Sequence, residues 1–350
     1  MFKKLLPFLN ENDIFLITSP HGLRYFTGFS GGEGAAVIGK KLKILITDSR
    51  YTEAAKNEAY NFVVTESSSY FSPLKDIVTN NGIENIFYED YFLTVSLFEK
   101  IKEIVGNSVS FKAYSFELEK LRMKKNEFEL CCIKKAEQIC SNAFKNVLSK
   151  IKAGMTELEL AAEIEYFMKK SGAQKTSFDT IVISGKKTSM PHGMPDNKKL
   201  NYGDFITMDF GYVYNGYCSD MTRTIVLGKA NEEQRKIYDV VLNAQLTALE
   251  FLSAGKTAKE ADSIARNVIE KAGYGKFFGH SLGHGVGLLI HELPNLSPNS
   301  EFILEENMVV SCEPGIYIPD FGGVRIEDLV VIIENGIVNL TDAEKKLIEI

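Results

Sequence analysis

Four of the five histidines in this 350-residue chain (His192, His280, His284 and His291) stand close together in the sequence. They are interleaved with four acidic positions, Asp209, Asp220, Glu313 and Glu327, in the segments P-H-G-M-P, M-D-F-G, S-D-M-T-R-T, G-H-S-L-G-H-G-V-G-L-L-I-H-E-L-P, E-P-G-I-Y and R-I-E-D. Carboxylate oxygens with one imidazole suit hard or borderline divalent cations, whereas structural zinc sites draw on Cys and His. The acids lie in apolar, strand-like runs, and a buried carboxylate needs a cation or a proton to be tolerated. Four carboxylates and His284 are enough to hold two divalent ions sharing a hydroxide, a pair that activates water and polarises a carbonyl. His192 and His291 would then be donors to a developing oxyanion. Taken alone, either reads equally well as a packed structural histidine.

Hairpins must position these groups. Asn215-Gly216 is a type I′ turn signal between FITMDFGYVY and YCSDMTRTIVL. Counting back from it puts Asp209 opposite Thr222, with Asp220 diagonal to Asp209 on the same face, roughly 7–8 Å away. Two like charges there would be costly without cations. A second hairpin joins MVVSCEPGIYI to VRIEDLVVII through P-D-F-G-G and offers Glu313 and Glu327, but its loop is too long for the register to be counted. The glycines around His284 let backbone approach a site closely. Cys218, near Asp220, reads as packing.

The chain also repeats itself. IKAGMTELELAAEIEYFMKKSGA and LSAGKTAKEADSIARNVIEKAGY share A-G-x-T-x-x-E and a closing glycine at one constant offset. Each reads as a Thr-capped helix, Thr156 with Glu159 and Thr257 with Glu260, ending at a C′ glycine. Asp209 to Glu313 and Asp220 to Glu327 keep a similar spacing, so a duplicated helix-plus-hairpin unit would bring two carboxylates from each half to a pseudo-twofold axis.

Upstream, short β-type runs (IFLIT, AAVIG, KILITD, FVVT, NIFYED) alternate with helical stretches. After LRMKKNEFEL, Asn126 with Glu129 forms a capping box ahead of an apolar series at helical spacing. The boundary is placed to give domains 1–122 and 123–350. A hydrophobic content of 45% with 25% charged residues is that of a soluble globular protein. The net charge of −6 argues against nucleic acid or anionic membranes as partners. MFKKLLPFLNENDIF is too weakly apolar for a signal peptide, and no run approaches the roughly 18–20 apolar residues of a membrane span. The five cysteines lack C-x-x-C spacing, which points to reduced thiols in a cytoplasm. His21, the lone histidine upstream, reads as structural.

By these motifs the chain resembles the pita-bread metallopeptidases of family M24, which include methionine aminopeptidase, aminopeptidase P and prolidase. The likeness covers most of 123–350. YFTGFSGG…LITDSRYTEAA is similar to the creatinase/prolidase-type amino domain, which methionine aminopeptidases lack. The resemblance implies an α/β (α+β) architecture, an N-terminal creatinase/prolidase-type α/β domain followed by a pseudo-twofold pita-bread catalytic domain. It implies that Asp209 ligates one metal, that His284 and Glu313 ligate the other, and that Asp220 and Glu327 bridge the pair. Glu313 would shuttle the proton of the nucleophilic water, and His192 and His291 would contact substrate and stabilise the tetrahedral intermediate. His280 would line the pocket, Arg325 would lie near the substrate, and Tyr317 near the metals, although Tyr317 reads equally as a core aromatic.

The activity implied is that of an Xaa-Pro peptidase acting on proline-containing peptides or dipeptides. Some prolidases carry Arg directly after H-E-x-P, where this chain has Asn295, so the expectation leans to an aminopeptidase P-like enzyme, with Xaa-Pro dipeptidase as the alternative. A non-enzymatic pita-bread binding module and creatinase-like chemistry are both disfavoured, because the full ligand set stands. Mn²⁺ fits an oxygen-rich site, and Co²⁺, Fe²⁺ and Zn²⁺ bind similar ligands. A cytoplasmic homodimer is the family expectation.

Overall fold

The computed structural model describes Met1–Ile350, and the chain divides into two compact units, Met1–Leu121 and Arg122–Ile350. The first is a six-stranded mixed sheet of β1 (Asp13–Ile17), β2 (Ala35–Gly39), β3 (Lys43–Thr47), β4 (Val63–Glu66), β5 (Asn85–Tyr88) and β6 (Ser110–Ala113). Its spatial order is β4-β3-β2-β1-β5-β6, antiparallel at β1–β2 and β2–β3 and parallel elsewhere. Helices α1 (Pro20–Thr27), α2 (Thr52–Glu58), α3 (Leu74–Asn81) and α4 (Val95–Val105) connect the strands, and α5 (Ser115–Met123) runs across the division at Leu121. The central strands β1 and β2 are buried along their whole length, as the continuous apolar runs DIFLI and AAVIG require.

The second unit is built twice over. Its first half runs α6 (Glu127–Leu148), α7 (Glu157–Lys170), β7 (Lys175–Thr176), β8 (Ile181–Ser184), β9 (Phe205–Phe210), β10 (Tyr212–Val213) and β11 (Met221–Val226). The second runs α8 (Glu232–Phe251), α9 (Ala258–Lys271), β12 (Gly283–Gly285), β13 (Glu292–Leu296), β14 (Val309–Cys312), β15 (Gly315–Ile318), β16 (Gly322–Arg325), β17 (Asp328–Ile333) and β18 (Gly336–Asn339). In each half a helix pair covers an antiparallel sheet, β11-β9-β8 in one and β13-β12-β14-β17-β18 in the other. Each half has its own apolar core, one around Phe144, Ile164 and Ile206, the other around Val241, Ala265 and Val310.

The duplication is visible in backbone detail. Capping boxes start α6 at Asn126 and α8 at Asn231, and α7 at Thr156 and α9 at Thr257. In each box the side chain satisfies an amide that the first helical turn leaves open. Gly154 N donates to Leu200 O at 2.9 Å, and Gly255 N donates to Leu304 O at 2.8 Å, so the same bond ties the same point of each half to the loop that leads into β9 or β14. The mixed α/β architecture is the one the resemblance implied. No helix is long and apolar enough to cross a membrane.

Candidate metal centre

Asn215 and Gly216 both have positive φ (48° and 81°), as a type I′ turn demands, and Tyr214 and Tyr217 pair across them. The same register holds again at β9 and β11, where Asp209 faces Thr222, although β10 between them pairs with β7. Ile181 of β8 flanks Asp209 on its other side. In the second half, β14–β17 and β15–β16 share one register. The residues between the two ladders, Glu313 and Glu327, therefore occupy matching positions on the two arms. The sequence reads as one continuous hairpin here, but the structure splits it into two ladders. Pro314, which has no N–H to give, lies at the break.

His284 arrives on β12, between two glycines that the packing demands. A Cβ on Gly283 would lie 2.1 Å from Ser311 O, and one on Gly285 would lie 2.4 Å from Leu293 O. Ser311 then organises the site: its hydroxyl accepts from His284 N at 3.0 Å and donates to Glu313 Oε1 at 3.1 Å.

Asp220, His284 and Glu327 each offer a ligand atom within 4.8 Å of one another. Nε2 of His284 lies 3.5 Å from Asp220 Oδ2 and 3.3 Å from Glu313 Oε1. Its Nδ1 is 3.1 Å from Gly285 O, which places the ring proton on Nδ1 and leaves the Nε2 lone pair facing two carboxylates. Asp209 Oδ1 and Glu327 Oε1 are buried without a partner. Burial, then the charge of Glu327, pushes the Asp220 carboxyl well above its usual range; burial, then Glu313, does the same for Glu327. Burial raises Glu313 to about 7. Orphaned carboxylate oxygens, a lone pair aimed at acids and mutual repulsion are what a bound divalent cation would relieve, and an oxygen-rich set with one imidazole suits such an ion. The donor set fits a metal.

Around it runs a chain of hydrogen bonds. Arg325 donates from Nη2 to Asp209 Oδ2 (2.5 Å), from Nε to Thr222 Oγ1 (3.0 Å), and from Nη1 to Tyr317 Oη (2.8 Å) and Pro191 O (3.3 Å). Thr222 Oγ1 donates onward to Glu327 Oε2 at 2.7 Å. The Tyr317 hydroxyl lies 2.9 Å from His280 Nε2, and His280 Nδ1 lies 2.8 Å from Ser281 O, so His280 is bonded as a neutral ring. Burial, then the Arg325 charge, lowers its pKa to about 4.

A cavity of about 550 Å³ opens onto this cluster. Asp209, Asp220, His284, Glu313 and Glu327 all line it, and so do His192, His280, His291 and Arg325. His192 and His291 are exposed, and the His291 ring packs edge-on against His284 with centroids 4.4 Å apart. Tyr317 stands behind the wall, buried, with its hydroxyl spent on His280 and Arg325. Sequence reasoning overlooked Thr222 and Ser311 as organisers of the cluster. Each sits two residues from an acid of the set, on the same strand face, and that spacing was the signal available. Phe178, Met194 and Ile290, which give the wall its apolar part, carried no signal of their own.

Comparison with known proteins agrees with this geometry. Residues 131–334 match metallopeptidase family M24, a family of dinuclear metal enzymes, and residues 3–124 match the creatinase/prolidase N-terminal domain. An Xaa-Pro dipeptidase of Pyrococcus furiosus is 43% identical over 99% of each chain. Among solved structures, an Xaa-Pro dipeptidase from Bacillus anthracis superposes with a TM-score of 0.95 at 40% identity, covering 100% of this chain and 98% of that one. An X-Pro aminopeptidase from Thermotoga maritima gives 0.92 at 40% identity, covering 100% and 99%. By its sequence and its fold, this chain belongs to metallopeptidase family M24, with a creatinase/prolidase domain at its amino-terminal end.

Proposed function

We propose that this chain is a metal-dependent Xaa-Pro dipeptidase, a prolidase. The observation that carries the reading is the buried Asp220–His284–Glu327 cluster at the wall of a substrate-sized cavity, in a chain 43% identical along its length to an Xaa-Pro dipeptidase. Full-length dipeptidase relatives support this alternative better than the aminopeptidase P-like expectation. The Thermotoga maritima likeness keeps aminopeptidase activity as the second reading. Residues 1–122 would form the amino domain and 123–350 the catalytic one, a division supported by the two compact units.

Asp209, Asp220, His284, Glu313 and Glu327 would hold two divalent ions, and the oxygen-rich donor set suits Mn²⁺. Such ions, when bound, supply Lewis acidity towards a water and a peptide carbonyl. The chain's own groups do the rest. Glu313 has Oε1 engaged by Ser311, which leaves Oε2 to take a proton and return it to the leaving proline nitrogen. His192 and His291, exposed on the wall, would donate to the carbonyl oxygen as it gains charge. Arg325 gives four of its five guanidinium N–H groups to Asp209, Thr222, Tyr317 and Pro191, so it orients Asp209 and keeps one Nη2 N–H at the cavity wall for the substrate's carboxylate. His192, His291 and Asn295 are further wall groups within the same cavity that could share that task. A homodimer in the cytoplasm is carried over from the family resemblance.

Hydrolysis of Ala-Pro should be compared with that of Arg-Pro-Pro-type tripeptides. The dipeptidase reading expects Ala-Pro to be the better substrate. Cleavage of the tripeptides with no turnover of Ala-Pro would replace it with the aminopeptidase reading.

A further inference from the structure

One step behind the carboxylates lies a second charged arrangement that the proposed chemistry does not use. Arg223 follows Thr222 on β11, and Asp328 follows Glu327 at the start of β17, so both side chains leave the strands on the face opposite their neighbours. Both are buried, at 1% and 0% exposure, and neither lines the cavity. Arg223 Nη2 and Asp328 Oδ1 are 2.7 Å apart.

All five guanidinium N–H groups of Arg223 find acceptors. Nη1 donates to Thr222 O (2.9 Å) and Glu327 O (2.5 Å), Nη2 to Asp328 Oδ1 and Ala343 O (2.9 Å), and Nε to Glu344 O (2.9 Å). Asp328 in turn accepts from Asn339 Nδ2 and Lys345 Nζ, each at 2.5 Å. The two carbonyls held by Nη1 belong to the residues at which the two hairpins meet. Glu327 N donates to Thr222 O at 3.1 Å, and Thr222 Oγ1 donates to Glu327 Oε2 at 2.7 Å. One cation therefore fixes, from behind, the crossing point of the arm carrying Asp220 with the arm carrying Glu327. What remains unpaired there is Glu327 Oε1, buried in the cluster.

We infer that Arg223 and Asp328 are a positioning pair for the metal centre, holding Glu327 in register with Asp220 and so setting the affinity of the site for divalent ions. Segment 339–345 belongs to the device, because it supplies two of the carbonyls and both partners of Asp328 Oδ2. The inference rests on the reading that Asp220 and Glu327 hold metal. It predicts an effect on ion binding rather than on substrate chemistry, since neither side chain reaches the cavity.

The test is calorimetric titration of metal-stripped protein with Mn²⁺, comparing wild type, Asp328→Asn, Arg223→Lys and a control, Glu157→Gln. Glu157 is equally buried, accepts from Ser184 and Lys187, and neither lines the cavity nor bonds to any of the cluster's ligands. Folding is followed by circular dichroism and melting. The two positioning variants should fold and bind Mn²⁺ roughly 10–100-fold more weakly, the range seen when groups supporting metal ligands are lost. Saturating Mn²⁺ should return their kcat on Ala-Pro close to wild type. Glu157→Gln should melt earlier with its Mn²⁺ affinity unchanged. The inference fails if both positioning variants keep wild-type affinity, if the control weakens Mn²⁺ binding as much as they do, or if neither variant folds even with saturating Mn²⁺. A wild-type protein that binds no Mn²⁺ would instead remove the metal-centre reading on which the inference stands.

Discussion

Glu313, half-buried at the cavity, and Glu137, wholly buried, are carboxyls of the second unit that are expected to behave in opposite ways. Glu313 lines the cavity with one oxygen uncommitted, so Glu313→Gln should lower kcat on Ala-Pro about 10²–10⁴-fold while the protein stays folded. Full retained activity would refute its role as proton carrier. Glu137 does not line this cavity; it is wholly buried, and burial pushes its carboxyl from 4.5 up to about 8. A raised pKa means the folded state keeps a proton that the unfolded chain gives up. Stability from this group is therefore full below pH 4.5 and is lost as pH rises towards 8. Glu137→Gln cannot titrate, so its melting temperature should exceed wild type by on the order of a few degrees above pH 8, with the gap closing below pH 4.5. A gap independent of pH would contradict this. Legibility at this scale followed residue type. Histidines and acids inside apolar strands are conspicuous, whereas Thr222, Ser311 and Arg223 are of common types. Their importance lies in partners such as Glu327 and Asp328, far away in the chain, which one-dimensional spacing does not reveal.

At the scale of elements, local chemistry was the readable part. The capping boxes at Asn126, Thr156 and Thr257 and the Asn215-Gly216 turn are decided within a few residues, and the structure carries each of them. Equivalent caps should cost equivalent amounts. Thr156→Ala and Thr257→Ala are each expected to destabilise by about 1 kcal/mol, with the two losses additive because the caps belong to different halves. Equilibrium denaturation of the single and double variants checks both the size and the additivity. A markedly larger loss at one cap would mean that the halves are not energetically alike. The split of the second hairpin was not readable. Its two ladders keep one register across Glu313 and Pro314, and the long turn hid that register from counting. The packing of Gly283 and Gly285 against Ser311 and Leu293 was likewise invisible as distance, although the glycines themselves were plain.

Over the whole molecule, duplication explains why the acids come in pairs. Each half supplies a helix pair, a sheet and two carboxylates, and the join between halves is where those carboxylates repel one another. A fold that gathers buried acids at its centre is stabilised by any cation that binds the native arrangement and not the unfolded chain. The repeat in the sequence foretold this geometry; the wiring behind it, through Arg223 to Ala343 and Glu344, comes from a segment outside the repeat. If the cluster of Asp209, Asp220, His284, Glu313 and Glu327 is a working metal centre, activity must follow its metal content. Elemental analysis of the purified protein, paired with Ala-Pro hydrolysis before and after chelation, measures both. Two divalent ions per chain, loss of hydrolysis on chelation and its return with Mn²⁺ are expected. A protein with no bound divalent ion, or one whose peptidase activity survives complete metal removal, would contradict the metal-centre reading.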